Sequence, residues 1–168
     1  MLSWIAVAAG VLIVAAGLAS VVLRLCLAVV TVAGASMLPA FAPGDRALVR
    51  RLPLSKAAVG DVVVFREPDH FGSWVSTPQA RSTVRRDQWV IKRVVARPGD
   101  EVPAEVSGRV ATSVVPPGAL VVLGDNADRS RDSRDWGFVP QSAGLGKVVR
   151  VLASGSGSVA TNPSAVGD

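Results

Sequence analysis

The sequence predicts an all-β fold: a compact, mainly antiparallel domain preceded by one N-terminal transmembrane helix. Three observations predict it. Positions 5–23 read "IAVAAGVLIVAAGLASVVL", nineteen residues without a charge. Beyond them Gly-Asp pairs recur at 44–45, 60–61, 99–100 and 124–125, and the short segments between them are rich in β-branched residues. Finally, 168 residues leave room for one modest domain, while 49% apolar composition and a mean hydropathy of +0.41 are high for a soluble chain, so the excess belongs to the N-terminal run.

Taken in order, Ile5 to Leu23 would make about 28 Å of helix, close to a bilayer's hydrocarbon thickness. A cleaved signal peptide fits less well, because "MLSW" carries no Lys or Arg and the run is longer than an ordinary h-region. A buried soluble helix, apolar on every side, would need a larger core than this chain offers. Arg24 is the only charged side chain before Asp45 and lies after the run, so charge counting gives no support for an inside N-terminus. "RLCLAVVTVAG" then suits a first strand at or near a membrane surface, and the turn residues Gly34, Ser36, Pro39 and Gly44 form the loop that leaves it. Further strands are expected in "RALVRRL", "DVVVFRE", "WVIKRVVAR" and "GALVVLGD". The polar stretch from Glu67 to Gln88 reads as an irregular excursion, and the small-residue end as a flexible tail. The expected organisation is an anchor over 1–24, a domain over 25–151 and a tail over 152–168.

Several function classes are excluded on composition. One histidine, His70, and one cysteine, Cys26, make no zinc set, and no calcium-loop spacing occurs, so neither a metal nor a cofactor is expected. Cys26 permits no intrachain disulfide and has no adjacent His or Asp to activate it, so it reads as an apolar filler. The net charge of +5 suits anionic lipid headgroups beside a membrane run. Nucleic acid is not an expected partner, since no helix-turn-helix, zinc pattern or aromatic-basic interleaving accompanies the charge.

Two residues suggest nucleophilic chemistry. Ser36 would need a base, and the sole histidine lies in the least regular segment. Lys92 is the alternative: in "QWVIKRVVARPGD" it stands in an otherwise apolar strand, where desolvation favours the neutral amine. A lysine snorkelling from the strand is the plain structural reading. A third stretch, "GDNADRSRDSRDWGFVP", is too polar for an ordinary strand yet is flanked by "ALVVL" and closed by bulky residues; a solvent-facing turn with local Asp-Arg pairs would also explain it. Met37, beside the serine, suits either a flexible apolar contact near the membrane or the substrate pocket, or simple core packing.

Together these blocks resemble the type I signal peptidase family, membrane-bound serine proteases that use a Ser/Lys dyad. "GASMLP" is similar to the serine box, "VIKRVVARPGD" to the lysine box and "GDNADRSRDSRDWGFVP" to the terminal box; with the intervening "PGDRALV" and "VGDVVVFR" the match covers most of Val32 to Val149. The resemblance implies Ser36 as nucleophile and Lys92 as general base. Ser130 matches a serine that orients the lysine amine, and Asp132 with Arg134 matches a supporting ion pair. Gly34 matches an oxyanion position where some members carry a serine hydroxyl, so backbone donors, including the Ser36 N–H, would carry that role. Only a few dozen residues separate the lysine and terminal boxes, which resembles a small form with a minimal cap.

The implied activity is a membrane-bound serine endopeptidase that removes N-terminal signal peptides from exported precursors. It would be single-pass in the cell membrane with the domain on the extracytoplasmic side, in contact with lipids and the secretion machinery. An extended substrate would add a strand beside the sheet, with small residues at the first and third positions before the cut. A dedicated propeptide-processing protease of the same chemistry is the nearest alternative, and a catalytically silent, membrane-anchored β module that binds peptide or lipid is the alternative from another class.

Overall fold

The computed structural model describes residues 2–69, 74 and 89–153. His70, most of the expected excursion after Glu67 and nearly all of the expected tail lie outside the described residues. Helix α1 (Leu2–Cys26) leads directly into strand β1 (Leu27–Thr31), which pairs antiparallel with β2 (Arg46–Arg51). There follow β3 (Val62–Arg66), β4 (Trp89–Ala96), a single-turn helix α2 (Ala104–Ser107), β5 (Ala119–Leu123), a second short helix α3 (Ser133–Trp136), β6 (Val139–Pro140) and β7 (Gly144–Ala153). The strands form one open antiparallel sheet in the order β1-β2-β7-β3-β4-β5-β6.

Two expectations are corrected here. The fold is mixed α/β, with 28% helix against 33% strand, and not all-β. The strand segments do form an antiparallel sheet, but α1, α2 and α3 contribute almost as many residues as the strands. In addition, among the described residues no helix is long and apolar enough to cross a membrane. This overturns the transmembrane anchor and, with it, the single-pass placement in the cell membrane. Arg24 lies in the last turn of α1 and ends its uncharged stretch.

Why the chain pairs in this order follows from the segments. Val62 to Phe65 are all buried, as expected for a strand flanked on both sides by neighbours and covered on both faces, and β5 repeats the pattern from Ala119 to Val122. The strand missing from the sequence reading, β7, runs between β2 and β3 and so closes the middle of the sheet. Its glycines and charges mask it. Gly146 stands opposite Arg51, and a Cβ there would lie 2.0 Å from the Arg50 carbonyl oxygen, so only glycine permits the approach.

Apolar side chains collect in separate clusters. One contains Leu54, Val63, Phe65, Val94, Leu120 and Val122, with Trp74 and Trp136 packed against it in mutual ring contacts with Phe65. Another contains Val32, Met37, Phe41, Val49, Val64 and Ile91. Met37 is fully buried there, which settles its role as core packing. By tying the Ser36 loop to the sheet, that packing brings the loop over β4.

Candidate active site

Strand register places the lysine. In β4, Lys92 lies opposite Val63 of β3, and side chains two apart share a face, so Lys92 stands in line with Val90 and Val94 of the aromatic-lined cluster. It is 4% exposed, a level lysine reaches only with a partner. That partner is Ser36: Lys92 Nζ donates to Ser36 Oγ at 2.7 Å, across 56 residues of sequence. Burial pushes the Lys92 amine below its ordinary range; the Asp132 and Glu67 carboxylates pull it back up, and the Arg134 guanidinium adds to the lowering. With the amine neutral, the same short contact serves a proton passing from the hydroxyl to nitrogen.

Behind this pair stands Asp132, fully buried. Its Oδ2 accepts from the Gly124 N–H at 2.9 Å, from the Ser130 hydroxyl at 2.6 Å and from Arg134 Nη2 at 2.7 Å. Its Oδ1 accepts from the Arg134 N–H at 3.1 Å and Arg134 Nε at 2.9 Å. Burial alone would raise this carboxyl, but the bonds from Arg134, Gly124 and Ser130 outweigh it and hold it below the usual carboxylate range. Local sequence explains the placement: Asp132 caps α3, and Asp135 returns the bond by accepting the Asp132 N–H at 3.1 Å, a capping box in which Asp replaces the usual Glu. Next to it the buried Ser133 hydroxyl accepts from the Val122 N–H at 3.0 Å, fastening α3 to β5.

The residues singled out in the sequence therefore fall into two groups. Ser36 and Lys92 touch, and Ser130, Asp132 and Arg134 form one network beside them. The recorded bond of the Ser130 hydroxyl goes to Asp132, and that of Lys92 Nζ to Ser36. Gly34 is exposed, and a Cβ added there would meet nothing within 4 Å. A cleft of about 570 Å³ lies elsewhere, lined by Leu25, Arg51, Trp89 and Leu145 among others, and none of these site residues borders it.

Other participants escaped the sequence reading. Arg93, next to Lys92, reaches Asp125 through two bonds, Nε to Oδ1 at 2.8 Å and Nη2 to Oδ2 at 2.6 Å, joining β4 to the end of β5. Gly124 is where three segments meet, since a Cβ there would lie 2.1 Å from Ser130 Oγ and 2.6 Å from the Ser36 carbonyl oxygen. Asn126 bonds the serine loop with both its backbone N–H and its side-chain amide. The polar density of "GDNADRSRDSRD" was the available signal, but nothing in it selects these residues over their neighbours.

Among the described residues no group of His, Cys, Asp or Glu could hold a metal ion. What the arrangement can do is deprotonate a hydroxyl with a buried amine and hold that amine against a rigid, charge-balanced network.

The family model for "Signal peptidase, peptidase S26" matches residues 1–111 and 104–153. A probable signal peptidase I-1 of Synechocystis sp. is 31% identical over 134 residues, covering 66% of this chain and 63% of that one. A mitochondrial ATP-independent inner membrane protease subunit 1b of Arabidopsis thaliana is 35% identical over 123 residues, covering 69% and 64%. The chain thus spans a little under two thirds of the length of these relatives. A crystal structure of a signal peptidase I from Enterococcus faecalis V583 is similar at a TM-score of 0.37 and 23% identity, covering 56% of this chain and 97% of that one.

Proposed function

We propose, for a chain that belongs to the signal peptidase family S26, that it is a serine endopeptidase removing N-terminal signal or propeptide segments from precursor proteins, with Ser36 as nucleophile and Lys92 as general base. The single observation supporting these roles is the 2.7 Å approach of Lys92 Nζ to Ser36 Oγ at a lysine that is 4% exposed. In the first half-reaction neutral Lys92 takes the hydroxyl proton as Ser36 Oγ attacks the scissile carbonyl. The charge that develops on the carbonyl oxygen is held by backbone N–H donors, among them that of Ser36, because Gly34 has no hydroxyl to offer. As the carbon–nitrogen bond breaks, the Lys92 ammonium returns the proton to the leaving amine. The same amine then deprotonates the water that releases Ser36 from its ester. Ser130, Asp132 and Arg134 support the site by fixing the wall against which the amine stands.

The test incubates the intact chain with a panel of full-length precursors and sequences the new N-termini. One cut after a small residue in several precursors is expected, lost in Ser36→Ala, which removes the reacting oxygen, and in Lys92→Arg, whose guanidinium stays charged near neutral pH. Full cleavage by folded Ser36→Ala, or near-normal turnover by folded Lys92→Arg, would remove the dyad from the mechanism.

A further inference from the structure

We propose that Asn126 is a positioning residue that sets the direction of the Ser36 backbone N–H; the proposal rests on reading Ser36 as the nucleophile. Asn126 Nδ2 donates to the Ala35 carbonyl oxygen at 3.1 Å, and the Asn126 N–H donates to the Ser36 carbonyl oxygen at 2.9 Å. Only the amide nitrogen of the side chain can make the first of these bonds, because a carbonyl cannot donate to a carbonyl.

The consequence follows from peptide geometry. The Ala35 carbonyl and the Ser36 N–H belong to one planar trans unit and point to opposite sides of it. Holding the carbonyl toward Asn126 therefore aims the Ser36 N–H away from Asn126. The second bond does the same for the next unit, which carries the Met37 N–H. The Ala35 carbonyl also accepts from the Leu38 N–H at 3.2 Å, and Asn126 adds to that local turn the shorter bond from outside it, bearing on two successive backbone donors on either side of the reacting hydroxyl.

Asn126 is itself held firmly. Directly before it Asp125 is tied to Arg93, and Gly124 donates to the buried Asp132. The clamp consequently connects the serine loop to the same framework that positions Lys92, although Ala35 and Asn126 stand 91 positions apart in the sequence. Because no side-chain hydroxyl is present at Gly34, a misdirected backbone N–H has no substitute. An oxyanion donor acts on the transition state more than on the bound substrate, so its misalignment lowers kcat and leaves KM nearly unchanged.

The experiment measures turnover of a quenched fluorescent peptide, with Ala at the first and third residues before the cut, by the intact chain and by Asn126→Ala, Asn126→Asp and Ser36→Ala. Asn126→Asp keeps the shape but presents acceptors to the Ala35 carbonyl. For both Asn126 variants we expect kcat to fall about 10- to 100-fold, KM to stay within about twofold, and the acidic limb of the pH profile to stay in place, because Lys92 is untouched. Backbone amide exchange supplies a substrate-free readout, with Ser36 exchanging about tenfold faster in Asn126→Ala, which loses the side-chain bond and keeps the backbone bond that holds the Met37 unit. Wild-type kcat in both variants, a loss confined to KM, a displaced acidic limb or unchanged exchange at Ser36 would each overturn the clamp. If Ser36→Ala is inactive while the Asn126 variants are normal, only the clamp fails. Turnover by Ser36→Ala, or none by the unaltered chain, would overturn the hydrolase reading and the clamp with it.

Discussion

At Gly44-Asp45, Gly60-Asp61 and Gly99-Asp100 the glycine adopts φ of 92°, 91° and 91°, and the aspartate Oδ2 accepts the N–H three residues earlier at 2.8, 2.9 and 2.8 Å. At Gly124-Asp125 the glycine is outside the left-handed region, and the aspartate bonds Arg93, 32 residues away. In the first three glycine supplies a backbone conformation and aspartate closes the turn locally, although Asp61 also accepts from Lys147 Nζ at 3.0 Å and the Gly60 carbonyl from Arg93 Nη1 at 2.9 Å. The fourth is a junction: glycine supplies space for Ser130 and the Ser36 carbonyl, and its N–H serves Asp132. One dipeptide therefore does two jobs, and what distinguishes the fourth is that distant segments press against the glycine itself.

The sharpest way to break the comparison is to remove the charge behind the junction. Asp132→Asn leaves Arg134 without its carboxylate and turns an amide donor toward other donors, so a loss of about 3–5 kcal/mol is expected in denaturant unfolding at pH 7, with loss of activity. The Asp132 carboxyl is held below the usual range, so its stabilisation is present at neutral pH and disappears as pH falls through its folded value. The difference between variant and wild type should shrink in acid. A difference that grows in acid would contradict this.

Next, Gly124→Ala should cost about 1–3 kcal/mol through overpacking and also abolish turnover, because Ser130 and the serine loop must shift. Gly60→Ala is its control: nothing lies within 4 Å of the added Cβ, so only the φ of 91° opposes it, at about 1 kcal/mol, and turnover per folded molecule should be unchanged. Equal effects on turnover would erase the distinction between turn and junction.

A smaller effect is expected from Glu67→Gln. Glu67 raises the Lys92 amine, so neutralising it lets the amine lose its proton at lower pH, and the acidic limb of activity should move downward, most visibly at low ionic strength. An upward move would contradict the sign. Smallest of all, Asp100→Ala removes one exposed turn bond and should cost about 1 kcal/mol or less in thermal melting, with turnover intact.

Legibility in the sequence varied for identifiable reasons. The segments that became β2, β3, β4 and β5 were readable because their β-branched runs and bounding turns are local signals. Strand β7 was not, since Gly144, Gly146, Lys147 and Arg150 look like connection until β2 and β3 lie on either side. The apolar N-terminal run indicated a helix, and α1 is one, but its assignment as a membrane span did not hold, and neither did the all-β class. Ser36 and Lys92 were recognisable from their blocks, whereas Asn126 and Gly124 were visible only as members of a polar stretch.

By itself, the sequence determined where the Gly-Asp turns fall, where β2, β3, β4 and β5 run and which blocks hold the candidate residues, because these depend on neighbouring residues and on intrinsic backbone preference. Only the tertiary structure decided that Lys92 loses its water beside Ser36, that Asp132 is fully enclosed and charge-balanced, and that Asn126 grips the serine loop. Those outcomes depend on burial and on directed hydrogen bonds between segments far apart in the chain, such as the 56 residues between Ser36 and Lys92. Neither quantity exists until the sheet has assembled.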